Sequence, residues 1–403
     1  MRSTRFVTCF IAFAATCATA ACTGILGSYE VGTAQTEAGT SEGGPTSEGG
    51  PMPEAGAGDT SMSMDGATDA GCPAPTTLSC SGVCVNPETD KDNCGSCGRS
   101  CLGARCTAHV CQPGLVYART DVLVKTITAT DTDLFFGTTA HDVIQQPVAA
   151  GAAPMKLITT QGEILAFAPA APKVFFTATN SDGATWDVWG ATIGTPGTGV
   201  AGGGAYGGTP VGLVAAGGLV HTANVIGGSP AMFRISSCPQ VGAGCNANFT
   251  GAGIPGSRMA AGGGNIFWTD QTGSVYAMAD SIGMRIPIGA VATEGTATAA
   301  NFDGTTLFWV QNNSGNVRKS VYPNPAPMDV RNITSSAEDM VVDGTNIYYS
   351  QFTSGGTDTL FFMPKSGAVA PVAITTGNMA RLAQTASGIY WAEADGIHVV
   401  RKP

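Results

Sequence analysis

Charged side chains are scarce in this sequence. They make up 12% of the 403 residues, whereas 56 residues are glycine. Long helices need residues such as Leu, Glu and Lys along their faces, so this composition argues against a helical protein. A basic stripe is missing too, because 29 acidic residues outnumber 19 Lys and Arg. A chain that cannot neutralise phosphates is not expected to bind nucleic acid.

Long hydrophobic runs are also missing. The apolar run from Phe6 to Ala15, which follows Arg2 and Arg5, is too short to span a bilayer and is typical of a signal-peptide core. No later stretch approaches 18 unbroken apolar residues. We therefore predict a signal peptide over residues 1–21. We expect the protein to be attached to a membrane only through an N-terminal lipid.

Two cleavage sites compete at the end of the signal peptide. Ala18-Thr19-Ala20 suits an ordinary signal peptidase and would give a secreted protein. Thr19-Ala20-Ala21-Cys22 resembles a bacterial lipobox, although Thr19 stands where that motif prefers an aliphatic residue. Of 13 cysteines, the signal peptide removes Cys9 and Cys17. If Cys22 carries the lipid, an even number remains for disulfides.

The segment after Cys22 is acidic and poor in apolar residues. Residues 23–71 contain eight acids and no Lys or Arg, and the hexamer Thr-Ser-Glu-Gly-Gly-Pro occurs twice in succession over 40–51. Such a segment buries too little apolar surface to offset chain entropy. We expect residues 22–71 to be a lipid-anchored, disordered linker. Thr23 after the lipidated cysteine predicts sorting to the outer membrane, facing the periplasm or the cell surface.

A cysteine-rich module follows over residues 72–112. Forty residues cannot build an adequate core, so disulfides must constrain them. The ten cysteines expected to be oxidised are Cys72, Cys80, Cys84, Cys94, Cys97, Cys101, Cys106, Cys111, Cys238 and Cys245. Zinc bound at Cys94 and Cys97 is the rival interpretation, and export favours disulfides over it.

The module contains Cys80-Ser81-Gly82-Val83-Cys84 and then Asn93-Cys94-Gly95-Ser96-Cys97-Gly98. This run resembles the plant stigma-specific cysteine-rich family and similar modules in exported proteins of myxobacteria-like organisms. The resemblance covers about 35 of the 403 residues, and it implies an extracellular interaction module without catalytic residues. Glu88, Asp90 and Asp92 could hold Ca²⁺, but a solvated loop is the favoured interpretation. We expect no other cofactor and no metal site.

From residue 127 onward a unit recurs every 40 to 47 residues, which is the length of a four-stranded propeller blade. Each unit contains a pair of adjacent bulky residues. The pairs are Phe135-Phe136, Phe175-Phe176, Val220-His221, Phe267-Trp268, Phe308-Trp309, Tyr348-Tyr349 and Tyr390-Trp391. Adjacent apolar residues in a strand indicate a sheet buried on both faces, as in radially packed blades.

The sequence therefore predicts an all-β protein with a seven-bladed β-propeller over residues 113–403. Six blades are the alternative, because the third unit is irregular. The last unit ends before a fourth strand, and we expect residues 117–125 to supply it and so remove an open sheet edge. We expect the module at 72–112 to be a separate unit and the protein to be a monomer.

The run Asn265-Ile266-Phe267-Trp268-Thr269-Asp270 resembles the Tyr-Trp-Thr-Asp propeller repeats of lipoprotein receptors. The other units lack the Thr-Asp pair, so the resemblance implies a blade fold and not that family's function.

Polar residues recur directly after the bulky pairs. Asp270, Gln311, Gln351 and Glu393 take the same place in successive units. They could form a ligand-binding arc on one rim, but structural hydrogen bonds to the neighbouring blade are the favoured interpretation. Trp186 and Phe352, in variable polar turns, are the candidate exposed aromatics, and packing between blades is the equally weighted alternative. These six residues are the predicted ligand-binding set.

No arrangement of residues predicts catalysis. The histidines His109, His141, His221 and His398 lie far apart in the sequence, without ligand spacing. The favoured function is a non-enzymatic scaffold of the cell envelope that binds a protein or glycan. The alternative is a lyase or hydrolase with its site over the central channel, which would require a clustered base or metal site.

The lipid anchor can be tested directly. Metabolic labelling with a radioactive fatty acid should mark the wild-type chain and leave Cys22→Ala unlabelled, because the thiol of Cys22 is the acylated group. Cys9→Ala serves as the control, since that cysteine is removed with the signal peptide, and it should label like wild type. Equal labelling of wild type and Cys22→Ala would contradict the prediction.

Overall fold

The computed structural model describes residues 72–403 apart from short gaps at 76, 150, 198, 202–205, 228–231, 241–244, 253–257, 271–273, 281–285, 291–296, 312–313, 324–325, 335 and 354–356. The predicted signal peptide, the lipidation site Cys22 and the predicted linker at 22–71 lie outside the described residues. Within the described residues, no helix has the length and apolar character needed to cross a membrane.

The cysteine-rich module contains two small hairpins. Its strands are β1 (Leu78–Cys80), β2 (Val83–Val85), β3 (Cys106–Thr107) and β4 (Val110–Cys111). Four disulfides link Cys72–Cys84, Cys80–Cys97, Cys94–Cys106 and Cys101–Cys111. Because Cys94 and Cys97 belong to different disulfides, the structure does not support the zinc interpretation.

The remaining strands form seven antiparallel sheets. After β5 (Gly114–Ala118), the first blade comprises β6 (Val122–Ala129), β7 (Asp133–Thr138), β8 (Asp142–Pro147) and β9 (Met155–Thr159). The second comprises β10 (Ile164–Ala170), β11 (Lys173–Thr179), β12 (Thr185–Thr192), β13 (Val200–Ala201) and β14 (Tyr206–Gly207). The third comprises β15 (Thr209–Ala216), β16 (Leu219–Gly227), β17 (Met232–Pro239) and β18 (Asn246–Ala252).

The other four blades follow in chain order. The fourth comprises β19 (Ala260–Gly262), β20 (Asn265–Thr269), β21 (Ser274–Ala279) and β22 (Ile286–Ala290). The fifth comprises β23 (Ala297–Phe302), β24 (Thr306–Gln311), β25 (Asn316–Val321) and β26 (Met328–Asn332). The sixth comprises β27 (Ala337–Val342), β28 (Asn346–Thr353), β29 (Thr357–Pro364) and β30 (Val372–Gly377). The seventh comprises β31 (Leu382–Gln384), β32 (Gly388–Glu393), β33 (Gly396–Arg401) and β5.

The first strand of each blade lies at the centre. These strands contact one another in a closed ring, in the order β6, β10, β15, β19, β23, β27, β31 and back to β6. The all-β class and the seven blades are confirmed, and six blades are excluded. The third unit, irregular in sequence, is an ordinary four-stranded blade with a disulfide between Cys238 and Cys245.

The bulky pairs fill the seams between blades, as predicted. Tyr348 packs with Trp391 of the seventh blade, whereas its neighbour Tyr349 packs with Phe308 of the fifth. Adjacent residues of a strand point to opposite faces, so one pair serves two seams. Burying an aromatic side chain contributes about 1.5–3 kcal/mol. The seven pairs therefore supply a large share of the energy that holds the ring.

The strand that closes the ring lies a few residues earlier in the sequence than predicted. The closing strand is β5, which pairs with β33, whereas residues 122–125 of the predicted segment already belong to the innermost strand of the first blade. Gly396, at φ +143°, lies against the carbonyl of Tyr117, where a side chain would clash. The contact follows from strand pairing across the whole chain length, which local spacing does not encode.

The module is not a separate unit. Its buried residues Cys101 and Ala104 share one apolar cluster with Tyr390 and Val399 of the seventh blade and Phe136 of the first. The Arg401 side chain also donates a hydrogen bond to the carbonyl of Ser100. The expectation of independence fails because the module's disulfides create an apolar face that covers the closing seam.

Two lysines form equivalent ion pairs between neighbouring blades. Lys365, after β29, reaches Asp303 of the fifth blade, and Lys402, after β33, lies 3.1 Å from Asp343 of the sixth. Each ammonium also lies over an aromatic ring, 5.5 Å from the Phe308 centroid and 5.4 Å from the Tyr348 centroid. Burial raises the pKa of Asp343, but two backbone N–H groups and Lys402 outweigh burial and lower it.

The ion pair between Lys402 and Asp343 makes the stability of the fold depend on pH. Asp343→Asn should lower the free energy of unfolding by about 1–2 kcal/mol at pH 7, because the amide cannot pair with Lys402. A folded-state pKa below the ordinary 3.8 stabilises the fold above that pH. The difference from wild type should therefore shrink as the pH falls below 3.8 through the folded pKa. Urea unfolding from pH 7 to pH 2 measures it.

The control for this experiment is Glu163→Gln, which changes an exposed carboxylate. We expect it to unfold like wild type at every pH. If the free energies of unfolding of wild type and Asp343→Asn differed by a constant amount down to pH 2, the role given to the Lys402–Asp343 pair would be contradicted.

Candidate functional site

The four predicted rim residues lie where the second strand of a blade ends. Asp270 directly follows β20, while Gln311 and Glu393 end β24 and β32 and Gln351 lies near the end of β28. Asp270, Gln311 and Gln351 are buried, and Glu393 is half-buried. Repeat spacing therefore identified equivalent positions correctly, but three of the side chains do not present an open surface.

Each of these side chains has a partner inside the protein. The Asp270 carboxylate accepts hydrogen bonds from the Ser274 backbone N–H at 3.0 Å and the Tyr276 hydroxyl at 3.1 Å. Gln351 donates to the carbonyl of Ile333 at 3.0 Å. The remaining bonds are from Arg318 to Gln311 and from the Trp391 indole to Glu393. The Asp270 bonds fix the turn between β20 and β21, whereas the Gln351 bond reaches the chain that follows β26 in the neighbouring blade. The bonds of Gln311 and Glu393 lie within one blade.

The two candidate aromatics differ. Trp186 lies inside β12, where it is 1% exposed and packs with Leu213 and Val220 of the next blade. The prediction that it is exposed is wrong, because the strand begins at Thr185 and directs Trp186 into a blade seam. Phe352 is 53% exposed, near the end of β28.

The acidic side chains of the module stabilise a turn and form ion pairs. Oδ1 of Asp90 accepts hydrogen bonds from the N–H groups of Asp92 and Asn93. Asp92 pairs with Lys91 at 2.7 Å, and Glu88 lies 3.6 Å from His109. These contacts favour the interpretation of a solvated loop over a Ca²⁺ site.

A second group of potential ligands lies on the turn between β32 and β33. Oxygen and nitrogen atoms of Glu393, Asp395 and His398 lie within 4.8 Å of one another. His398 bonds Asp395 at 2.8 Å and stacks on the Trp391 ring. That bond also lowers the pKa of the Asp395 carboxyl. The group could hold a divalent cation, although all three side chains already have partners.

The buried histidine is a packing residue. His221 lies in the seam position of the third blade, fully buried, with Nδ1 2.7 Å from the Ser237 hydroxyl. Burial lowers its pKa. A neutral imidazole bonded to a serine inside a seam has no access to substrate, which fits the interpretation of His221 as a packed side chain.

A cavity lies inside the ring of central strands, with a volume of about 210 Å³. β6, β10 and β15 form one wall, largely from small and apolar residues. The opposite side carries Arg258 and Arg381, with Asn301 between them in chain order. This cavity brings together residues from six blades, and it is the candidate functional site.

Three charged residues hold that opposite side together. Arg258 Nη2 lies 2.9 Å from Asp339 Oδ2, and Arg381 Nη1 lies 3.8 Å from Asp339 Oδ1. Arg258 also donates to the carbonyls of Met340 at 3.1 Å and Leu382 at 2.6 Å. Asp339 is completely buried and accepts the N–H of Leu382 at 2.8 Å. The network joins the fourth, sixth and seventh blades.

The sequence analysis missed this network, although the repeat contains a signal for it. Arg258, Asp339 and Arg381 each precede the bulky pair of their blade by nine residues. In the other blades this position holds Thr126, Ala166, Val211 and Ala299. Three charged residues at one repeat position, in a chain with few charges, indicate a charged cluster at the centre of the propeller.

The fold and the cavity define the class: the chain is a seven-bladed β-propeller protein with a disulfide-rich module attached to its closing seam. No family model matches the sequence, and no curated protein matches it.

The fold is similar to that of a chain in the crystal structure of the Mitotic Checkpoint Complex, with a TM-score of 0.53, 9% identity and coverage of 72% of this chain and 93% of that one. The computationally designed Ika8 protein is similar with a TM-score of 0.49, 10% identity and coverage of 72% and 98%. A chain of the Nidogen/Laminin complex is similar with a TM-score of 0.40, 13% identity and coverage of 52% of this chain and 80% of that one. At these identities the likeness concerns the fold alone.

The carboxylate of Asp339 should be essential for stability. Asp339→Asn leaves two guanidinium groups without their shared counter-charge, and we expect a loss of about 3 kcal/mol in the free energy of unfolding. The matched control is Glu338→Gln, an exposed neighbour on the same strand, which should cost less than about 0.5 kcal/mol. Urea unfolding of both variants measures the difference, and equal stability of the two would contradict the role given to Asp339.

Proposed function

We propose that the protein is a cell-envelope lipoprotein that presents its propeller as a non-enzymatic binding scaffold for a protein or glycan. A lipid on Cys22 would hold it in the outer membrane, with the linker at 22–71 as a spacer. Five disulfides support an oxidising compartment. The rigid, closed ring supports a scaffold, because binding residues on such a framework stay in place.

One observation carries the choice of binding over catalysis. Among the described residues that line the central cavity, the ionisable ones are Arg258 and Arg381. A guanidinium stays protonated in proteins and has no lone pair to accept a proton. It can hold a ligand, but it cannot serve as a nucleophile or general base. A lyase or hydrolase working at this cavity would need such a group.

The face that carries the turns between second and third strands is the proposed binding face. Phe352 presents an exposed ring there, and Glu393 of the next blade has the place equivalent to Gln351. A face that carries an exposed aromatic and a half-buried carboxylate suits a peptide or a sugar, which both offer apolar faces and hydrogen-bond donors. Trp186 is not part of this proposal because it is buried.

The experiment compares two exposed apolar residues. Phe352→Ser should weaken binding of the purified exported chain to fractionated envelope proteins or glycans by roughly tenfold, a typical effect at an aromatic contact. Met328→Ser, which changes a side chain that is 45% exposed on the outer strand β26, should bind like wild type. Biolayer interferometry on immobilised protein gives the dissociation constants.

Two outcomes would contradict the proposal. Equal affinities of wild type and both variants would remove Phe352 from the binding face. Turnover of a polysaccharide or peptide by the wild-type chain, abolished by changes in the cavity, would favour the lyase or hydrolase.

A further inference from the structure

The central cavity combines two features that are unusual in a propeller with so few charges. It is lined by residues of six blades, and its two guanidinium groups share one carboxylate. Arg258 and Arg381 line the cavity, whereas Asp339 is completely buried. The described residues of this site therefore carry one positive charge in excess.

We propose that the central cavity binds a small oxyanion, a carboxylate or a phosphate group, between Arg258 and Arg381. The planar fork of an arginine matches both groups with two parallel hydrogen bonds. The Asn301 amide and the Thr128 hydroxyl, also in the lining, add neutral donors. An oxyanion would neutralise the excess charge of the site.

The two arginines contribute differently. Arg258 donates to two carbonyls and to Asp339, so most of its donors are engaged in joining blades. Arg381 lies 3.8 Å from Asp339 and donates to the carbonyl of Val211 at a long 3.4 Å. Both guanidinium groups line the cavity and are the proposed anion ligands, and Arg258 in addition joins three blades.

The electrostatics of Arg381 agree with this assignment. Burial lowers its pKa most, Asp339 opposes that shift, and the neighbouring charge of Arg258 lowers the pKa further. A bound anion would act on this pKa in the same direction as Asp339, because an adjacent negative charge favours the protonated guanidinium.

The cavity volume limits the ligand. At about 30 Å³ for each water molecule, 210 Å³ corresponds to roughly seven waters. Inorganic phosphate, a short dicarboxylate, or one acidic group at the end of a longer chain would fit. An extended polymer would not fit inside the ring.

Isothermal titration of the full exported chain tests the proposal at constant ionic strength. The ligands are inorganic phosphate, acetate and malonate, with chloride as the reference anion. We expect saturable binding of one anion per chain by phosphate or by a carboxylate, and the arm that responds identifies the group. Arg381→Met should weaken it roughly tenfold or more. Arg331→Met, which removes an arginine from the outer strand β26, should leave it unchanged.

The proposal is overturned by the wild-type titration alone if no oxyanion binds more tightly than about 10 mM. It is also overturned if chloride binds equally well, or if Arg381→Met binds like wild type. Should Arg381→Met not fold, Arg381→Lys keeps the charge and loses the fork, so its affinity should fall while its circular dichroism stays native. Phe352 is not among the residues that line the cavity, so this result and that of the proposed binding face are independent.

Discussion

Burial of both faces of every sheet is the constraint on which the structure depends. The chain offers glycine-rich turns and pairs of bulky residues, and in its described part there is no helix to cover a sheet. Each sheet can hide its two faces only between two other sheets. That requirement leads to a ring, and a ring requires a closing contact, which the pairing of β33 with β5 supplies. The buried pairs then hold seven seams in place.

The disulfide module belongs to this closing contact. Forty residues have too small an interior to be stable alone, and four disulfides reduce the conformational freedom of the unfolded chain. Their buried sulfurs also give the module an apolar face, which packs beside Tyr390 and Phe136 at the closing seam. The module and the propeller therefore stabilise each other at the one place where the ring could open.

The centre of the propeller and its rim use polar groups differently. On the rim, Asp270 fixes a turn, Gln351 bonds to the neighbouring blade, and Glu393 accepts a hydrogen bond from the Trp391 indole on its own strand. At the centre, Arg258, Asp339 and Arg381 come from three blades and leave a positive charge in a cavity. The buried polar groups of the rim are engaged in structural bonds, whereas the centre has the excess positive charge on which the proposed anion site depends. A binding role fits a protein whose cavity has fixed cations and few groups that exchange protons.

The sequence by itself predicted seven blades, with six left open, and predicted which residues fill the seams, because repeat spacing and strand alternation are local properties. It also marked the cysteines that are oxidised and the equivalence of Asp270, Gln311, Gln351 and Glu393. Only the tertiary structure decided that Trp186 is buried, that β5 closes the ring, and that the module covers the seam. The same holds for the meeting of Arg258 and Arg381 at Asp339. Such contacts join residues of different blades that are distant in the sequence, and their geometry exists only once the blades have packed.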